Sequence, residues 1–221
     1  MVKLREYITS HHTSTRRDYL ARMLDDKVNC MLEAKKYGIN YWDGDRKYGY
    51  GGYKYILDKW KPMALQLIED YNLTNNSKIL DIGCGKGYLL YEIKKIIPKI
   101  KVIGIDISSY AINNAPIEVK ESFYTHNAKD KLKYKDKEFD LVLSINTVHN
   151  LKLFDLKNCI IEIERLGKQK YIATESFRNE KEQFNLQCWA LTCETFFSED
   201  TWIRLFEDCG YTGDYELIYF E

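Results

Sequence analysis

Apolar and polar positions change period several times along the chain, and each change marks an element. Residues 1–14 are polar, carry His11-His12 and read as a mobile arm. Thr15 with Asp18 three positions later has the pattern of a helix start. The helix it opens has Tyr19, Leu20, Met23, Leu24, Val28, Met31 and Leu32 on one continuous stripe and ends at Gly38. Such a stripe packs on the core or a subunit partner, so a homodimer is compatible with it, or it covers a ligand. Residues 41–55 follow neither period: aromatic residues and glycines alternate, and five of the twelve glycines lie between Gly38 and Gly52. From Pro62, well placed in a first helical turn, a helix runs to about Tyr71. Strands at 78–83, 101–106, 119–125, 139–145 and 169–175 then alternate with helices at 87–97, 109–115 and 155–165. An acidic helical pair and a last strand, Tyr215–Phe220, close the chain. Alternation of this kind predicts an α/β, doubly wound, mostly parallel sheet. Residues 1–55 form an N-terminal helical and aromatic-loop segment, and 56–221 the ligand-binding domain.

Composition narrows the function. The 221 residues suit one domain, and 33 basic against 33 acidic residues argue against a grip on long nucleic acid. Residues 175–221, with eleven acids and three bases, are unsuited to lying along phosphates. No apolar run is long enough to cross a bilayer and the first residues lack a signal core, so a cytoplasmic location away from membranes is expected. Six cysteines without a C-x-x-C pair read as small buried apolar groups rather than disulfides or zinc ligands. Heavy use of Lys, Ile, Asn and Tyr with only three prolines suggests an AT-rich bacterial genome.

The most informative stretch is Lys78-Ile79-Leu80-Asp81-Ile82-Gly83-Cys84-Gly85-Lys86-Gly87. A buried strand runs into glycine at every second position, so the chain can bend sharply and a ligand can lie on its backbone. The spacing is neither G-x-G-x-x-G, because Tyr88 follows Gly87, nor a P-loop. Lys101–Ser108 is a second strand ending in a carboxylate, and Asp106 stands where an acidic residue grips a ribose diol. Two such charge-assisted bonds contribute roughly 1.5–3 kcal/mol each.

Asp81-x-Gly83-x-Gly85-x-Gly87, Gly104-x-Asp106-x-Ser108, His126-Asn127-Ala128 and Phe139–Asn146 occur in the order typical of one family. Over about residues 56–221 the chain resembles the class I, seven-stranded, Rossmann-like S-adenosylmethionine-dependent methyltransferases, type 11-like. The resemblance implies S-adenosyl-L-methionine as cofactor, held by Asp81, Gly83, Gly85, Gly87, Asp106, Ile107 against the adenine, Asn127 and Ala128. Asn127 stands where Asp is usual. The family also implies that the last two strands form an antiparallel hairpin.

For the acceptor, Tyr50 and Tyr53 of the aromatic loop suit a sulfonium cation, and Arg46, Lys47 and Lys54 suit an anion. Past the fourth strand, His149 is a candidate base and Asn146 a candidate to hold the methionine end; Glu175 and Arg178, past the fifth, are candidates to orient substrate. The Ser144–Thr147 stretch lacks the carboxylates of metal-dependent O-methyltransferases, so no metal is expected. A small-molecule O-methyltransferase is the leading expectation. The 42–55 block is similar to methyltransferases of bacterial capsule and surface-polysaccharide gene clusters, implying a sugar-, nucleotide- or phosphoramidate-linked acceptor. Alternatives are a methyltransferase acting on RNA or protein, N-methylation of a small amine, and a non-catalytic binder of the cofactor.

Overall fold

The computed structural model describes residues 3–9, 12 and 17–221. Strands β1 (Lys78–Ile82), β2 (Lys101–Asp106), β3 (Phe123–Thr125), β4 (Phe139–Ile145), β5 (Gly167–Ser176) and β6 (Asp214–Tyr219) form one sheet in the order β3-β2-β1-β4-β5-β6. The order reverses between β1 and β4, and the crevice above that switch point is where an open α/β sheet binds ligands.

Alternate residues of each strand feed two apolar layers. Ile79, Leu141, Leu143 and Tyr171 pack with Leu67 and Leu90 of the helices Lys61–Asp70 and Tyr88–Ile96. Leu80, Ile82, Val142 and Ile172 pack with Ile160, Ile163 and Trp202 of Leu153–Leu166 and Glu199–Asp208 on the opposite face. Burial on both faces explains why these strands read as nearly continuous apolar runs.

The expected seven strands with an antiparallel last one are corrected on both points. Among the described residues the sheet has six strands, and β6 runs parallel to β5 from Tyr171↔Asp214 to Ser176↔Tyr219. The helices Glu180–Trp189 and Glu199–Asp208 intervene between β5 and β6. They return the chain to the starting edge of the sheet, and a crossover of that kind yields a parallel neighbour. Residues 3–9, part of the arm expected to be mobile, instead lie along β6: Leu4 bridges Tyr215, and the Arg5 N–H donates to the Tyr215 carbonyl at 2.8 Å. The buried Glu216 carboxylate accepts from the N–H groups of Tyr7, Ile8 and Thr9 at 2.7–2.9 Å. His11 and the helix start at Thr15 fall outside the described residues.

Two further expectations change. The single N-terminal helix is two, Tyr19–Leu24 and Lys27–Ala34, broken where Asp26 takes a left-handed conformation at φ 45°. Aspartate tolerates that conformation better than most residues. The break divides the apolar stripe: Leu20, Leu24, Val28 and Leu32 face solvent, while Cys30 and Ala34 are buried. The third strand is shorter than 119–125 because Ile117–Lys120 is a helical turn.

Candidate active site

The turn after β1 is built on positive backbone angles: φ is 85° at Gly83, 56° at Gly85 and 69° at Gly87. A Cβ at these positions would meet, in order, the Thr147 side chain, the Trp42 ring and the Phe123 ring. Conformation and close approach therefore both select glycine. The N–H groups of Gly83 and Cys84 donate to the Ile105 carbonyl at 2.8 and 3.0 Å, which ties the turn to the end of β2.

Beside this turn opens a cavity of about 360 Å³. Seven of the ten residues expected to hold the cofactor line it: Tyr50, Gly83, Asp106, Ile107, Asn127, Ala128 and Asn146. Asp81, Gly85 and Gly87 do not, because Asp81 lies buried in β1 while the space over the two glycines is filled by Trp42 and Phe123. Asp106 receives one backbone bond on each oxygen, from Gly85 N and Ser108 N, both at 2.8 Å. Burial pushes its carboxyl up and the two backbone bonds oppose that shift. Each oxygen still has lone-pair capacity for a hydroxyl. Next to it Ile107, half exposed, offers an apolar surface to a flat ring.

The surroundings are rich in acceptors. Asn146 sits at φ 51° with a buried Oδ1 that has no protein partner, and Asn150 Oδ1 is likewise unpartnered. Asp81 is pushed up to about 7 by burial and then by the neighbouring Asp106 charge, and its Oδ1 also lacks a partner. Left without donors, buried acceptors cost roughly 1–3 kcal/mol each. A ligand bearing a diol, an aromatic base and a cationic amine fits this lining.

The aromatic loop closes the cavity from above. Trp42 is buried, and its Nε1–H donates to Ser108 Oγ at 2.9 Å. Tyr50 stacks on Trp42 with ring centres 5.2 Å apart. Tyr53, expected to meet substrate, instead continues the stack onto Tyr50 and Tyr88, and its carbonyl accepts from Lys86 Nζ at 2.8 Å. The Lys86 ammonium also bonds both oxygens of Asp43, pinning the loop to the glycine turn.

A second cavity, of about 200 Å³, lies past β4 and β5 and shares Tyr41, Tyr50, Asn146 and Asn150 with the first. His149 and Glu175, the two candidate catalytic residues, both line it. His149 Nε2 is 3.5 Å from Glu175 Oε2, and Nδ1 is 3.4 Å from Thr174 Oγ1. Burial lowers the His149 pKa and Glu175 raises it in opposition, with burial dominant, so the ring is neutral at pH 7. Arg46 is here as expected. Arg178 is not: its guanidinium is held by Glu182 and Glu221 and lies 4.2 Å from the Tyr219 ring centre. Lys47 and Lys54 line neither cavity. The residues that sequence reasoning missed are Arg17, Arg22 and Trp189, all on this cavity. Their only signal was two arginines five positions apart beside an apolar stripe, which any surface helix shows.

Among the described residues no group of three or more His, Cys, Asp or Glu is arranged to hold a metal ion, and no helix is long and apolar enough to cross a membrane.

Comparison with known proteins agrees with this geometry. Residues 73–210 match the model of a family described as a methyltransferase domain. Ubiquinone biosynthesis O-methyltransferase of Hydrogenovibrio crunogenus is 25% identical over 116 residues, covering 50% of this chain and 45% of that protein. Ribosomal RNA small subunit methyltransferase C of Buchnera aphidicola is 26% identical over 188 residues, covering 80% of this chain and 53% of that protein. The chain thus spans about half the length of these curated relatives. The fold is similar to that of geranyl diphosphate C-methyltransferase from Streptomyces coelicolor, solved with Mg²⁺, geranyl diphosphate and S-adenosyl-L-homocysteine. The TM-score is 0.53 at 13% identity, over 66% of this chain and 58% of that one. With the family model covering more than half of its length, the chain belongs to the class I S-adenosylmethionine-dependent methyltransferases.

Proposed function

We propose that this methyltransferase acts on an oxygen of a small polar acceptor seated in the second cavity. The observation that carries the reading is the shared wall: Tyr50 and Asn146 belong to both cavities, so a donor in the first and an acceptor in the second meet there. Asp106 would hold the ribose diol, Ile107 the adenine face, and the unpartnered Asn146 Oδ1 the cationic methionine end. When bound, the cofactor supplies a methyl group on a positively charged sulfur, already an excellent leaving group.

The protein's task is alignment, which can supply about 7–11 kcal/mol, and removal of one proton. In the tautomer whose Nδ1–H donates to Thr174 Oγ1, His149 keeps a lone pair on Nε2. During methyl transfer Nε2 would take the acceptor's hydroxyl proton, and Glu175, 3.5 Å away, would stabilise the resulting imidazolium. A precursor of a bacterial surface polysaccharide, with a sugar-, nucleotide- or phosphoramidate-linked oxygen, is the specific acceptor class in this reading. The named relatives act on chemically unrelated acceptors, so the family leaves that choice to the cavity.

The test is transfer from methyl-labelled cofactor in a bacterial extract separated into small solutes and polymers. Label should enter small solutes and be lost with His149→Ala, while calorimetric affinity for S-adenosyl-L-homocysteine persists. Label confined to RNA or protein would overturn the small-acceptor assignment.

A further inference from the structure

The second cavity contains more positive charge than proton transfer requires. Arg17, Arg22 and Arg46 all line it, against the single carboxylate of Glu175. Their guanidinium carbons lie 5.2, 4.9 and 5.2 Å from the Trp189 ring. Three cations gathered on one indole repel one another, and the ring attracts each only weakly. Arg17 and Arg22 are both held below the ordinary arginine range, first by burial, with Arg46 adding to the effect. Arg22 Nε is buried without a partner. Nη1 of Arg22 donates to the Arg46 carbonyl at 2.7 Å, and Nη1 of Arg46 donates to the Gly49 carbonyl at 2.6 Å. These two acceptors are neutral carbonyls that fix the positions of Arg22 and Arg46, and Asp25 acts on Arg22 only through space.

We infer that Arg17, Arg22 and Arg46, gathered on Trp189, form a binding site for a phosphate-type dianion, and that the methyl acceptor is a small molecule carrying such a group. Among the residues lining the cavity three guanidinium groups stand against one carboxylate, an imbalance that a phosphate dianion offsets more fully than a singly charged carboxylate does. Guanidinium forks match the tetrahedral oxygens of phosphate in paired hydrogen bonds. A volume of about 200 Å³ is below the roughly 300–1,000 Å³ of pockets that enclose drug-sized ligands, so it receives a head group and not a whole nucleotide. The phosphate serves as the handle, and the oxygen to be methylated faces the His149 and Asn146 side of the same cavity. Its role as part of the acceptor rests on the methyl-transfer reading above; the anion site itself does not.

The experiment is titration of the S-adenosyl-L-homocysteine-loaded protein with inorganic phosphate at pH 7.5, followed by tryptophan fluorescence and by calorimetry, with acetate in parallel. Phosphate should bind at least tenfold more tightly than acetate. Arg22→Gln and Arg46→Gln should each weaken phosphate at least tenfold while leaving affinity for the homocysteine product within about threefold, which also shows that both variants fold. Arg204→Gln, on the exposed face of Glu199–Asp208, should change nothing. Unchanged phosphate affinity in both variants would overturn the inference. So would displacement of phosphate by the homocysteine product, or loss of product affinity in the variants, since either would make the arginines holders of the cofactor carboxylate. If phosphate binds as described and no phosphorylated compound is methylated while label still enters small solutes, the anion site stands and its assignment to the methyl acceptor is overturned.

Discussion

The two cavities share four residues and are assembled in opposite ways. The first is built from residues that follow one another at strand ends: Gly83 after β1, Asp106-Ile107 at β2, Asn127-Ala128 after β3 and Asn146 after β4. The second draws His12, Arg17, Arg22, Arg46, His149, Glu175, Trp189 and Phe220 from segments far apart in the chain. The first is rich in hydrogen-bond acceptors and the second in cations. A positively charged donor and an anionic acceptor would each find the complementary chamber, with the reacting atoms at the shared wall.

That contrast can be broken most sharply at Asp106. Asp106→Ala removes both oxygens proposed to hold the ribose diol, each of which would contribute roughly 1.5–3 kcal/mol. Affinity for S-adenosyl-L-homocysteine should fall by about two to four orders of magnitude in calorimetry. Phosphate binding in the other chamber should survive. Concerted loss of both would show that the cavities form one unit. The variant also strips acceptors from Gly85 N and Ser108 N, so the turn should show a lowered melting temperature even without ligand.

Next in size is the proposed proton acceptor. His149→Ala should lower kcat by about 10²–10⁴-fold with cofactor affinity unchanged. The pH profile gives a finer reading. Burial holds His149 below its ordinary value, so kcat/KM should stay level as pH falls through 6.5 and decline only below it. Glu175→Gln removes the one neighbour that raises His149, so the acidic limb should move to still lower pH, with a reduced plateau. A limb that moved up would show that Glu175 does not stabilise the imidazolium.

Legibility followed the same division. The glycine turn, Asp106 and Asn127-Ala128 could be read from the sequence because strand-end chemistry depends on neighbours in the chain. Arg17, Arg22 and Trp189 could not, because only tertiary packing gathers them. The apolar stripe that pointed to one long helix was misleading for a local reason: Asp25-Asp26 breaks it, and Leu20, Leu24, Val28 and Leu32 are left facing solvent. β6 was found in sequence, but its direction depends on a helical crossover whose geometry no strand pattern contains. Tyr53 and Arg178 carry suitable chemistry and are committed elsewhere, to the aromatic stack and to Glu182.

A smaller effect concerns Asp81, buried in β1 behind the first cavity and close enough to Asp106 to be raised by its charge. The folded-state pKa of Asp81 is raised to about 7 from near 4 in the unfolded chain. The native state therefore retains a proton that the unfolded state has released across that interval. Stability of the ligand-free protein should be greatest below about pH 4 as far as this group is concerned, and should decline as pH rises to about 7. Asp81→Asn should abolish this component. Its melting temperature should exceed that of the parent at pH 8, by the equivalent of up to about 4 kcal/mol, and the gap should narrow by more than half at pH 5 and close below about pH 4. An equal gap at both pH values would mean that the carboxyl does not titrate there.

The smallest expected effect lies where the loop meets the glycine turn. Trp42→Phe deletes the Nε1–H bond to Ser108 Oγ, together with the longer one to the Tyr37 carbonyl, and withdraws the outer ring carbons that lie over Gly85. Such a bond contributes about 0.5–1.5 kcal/mol, equivalent to a fall of roughly 2–4 °C per kcal/mol in a chain of this size. Ser108 also holds the end of β2 through its N–H to Asp106 Oδ1, so the loss should appear as slightly weaker cofactor binding. Phosphate affinity should not change, because the arginines lean on Trp189 and not on Trp42. A fall in phosphate affinity matching the fall in cofactor affinity would mean that the aromatic loop carries strain from one chamber to the other through Tyr50, which stacks on Trp42 and lines both.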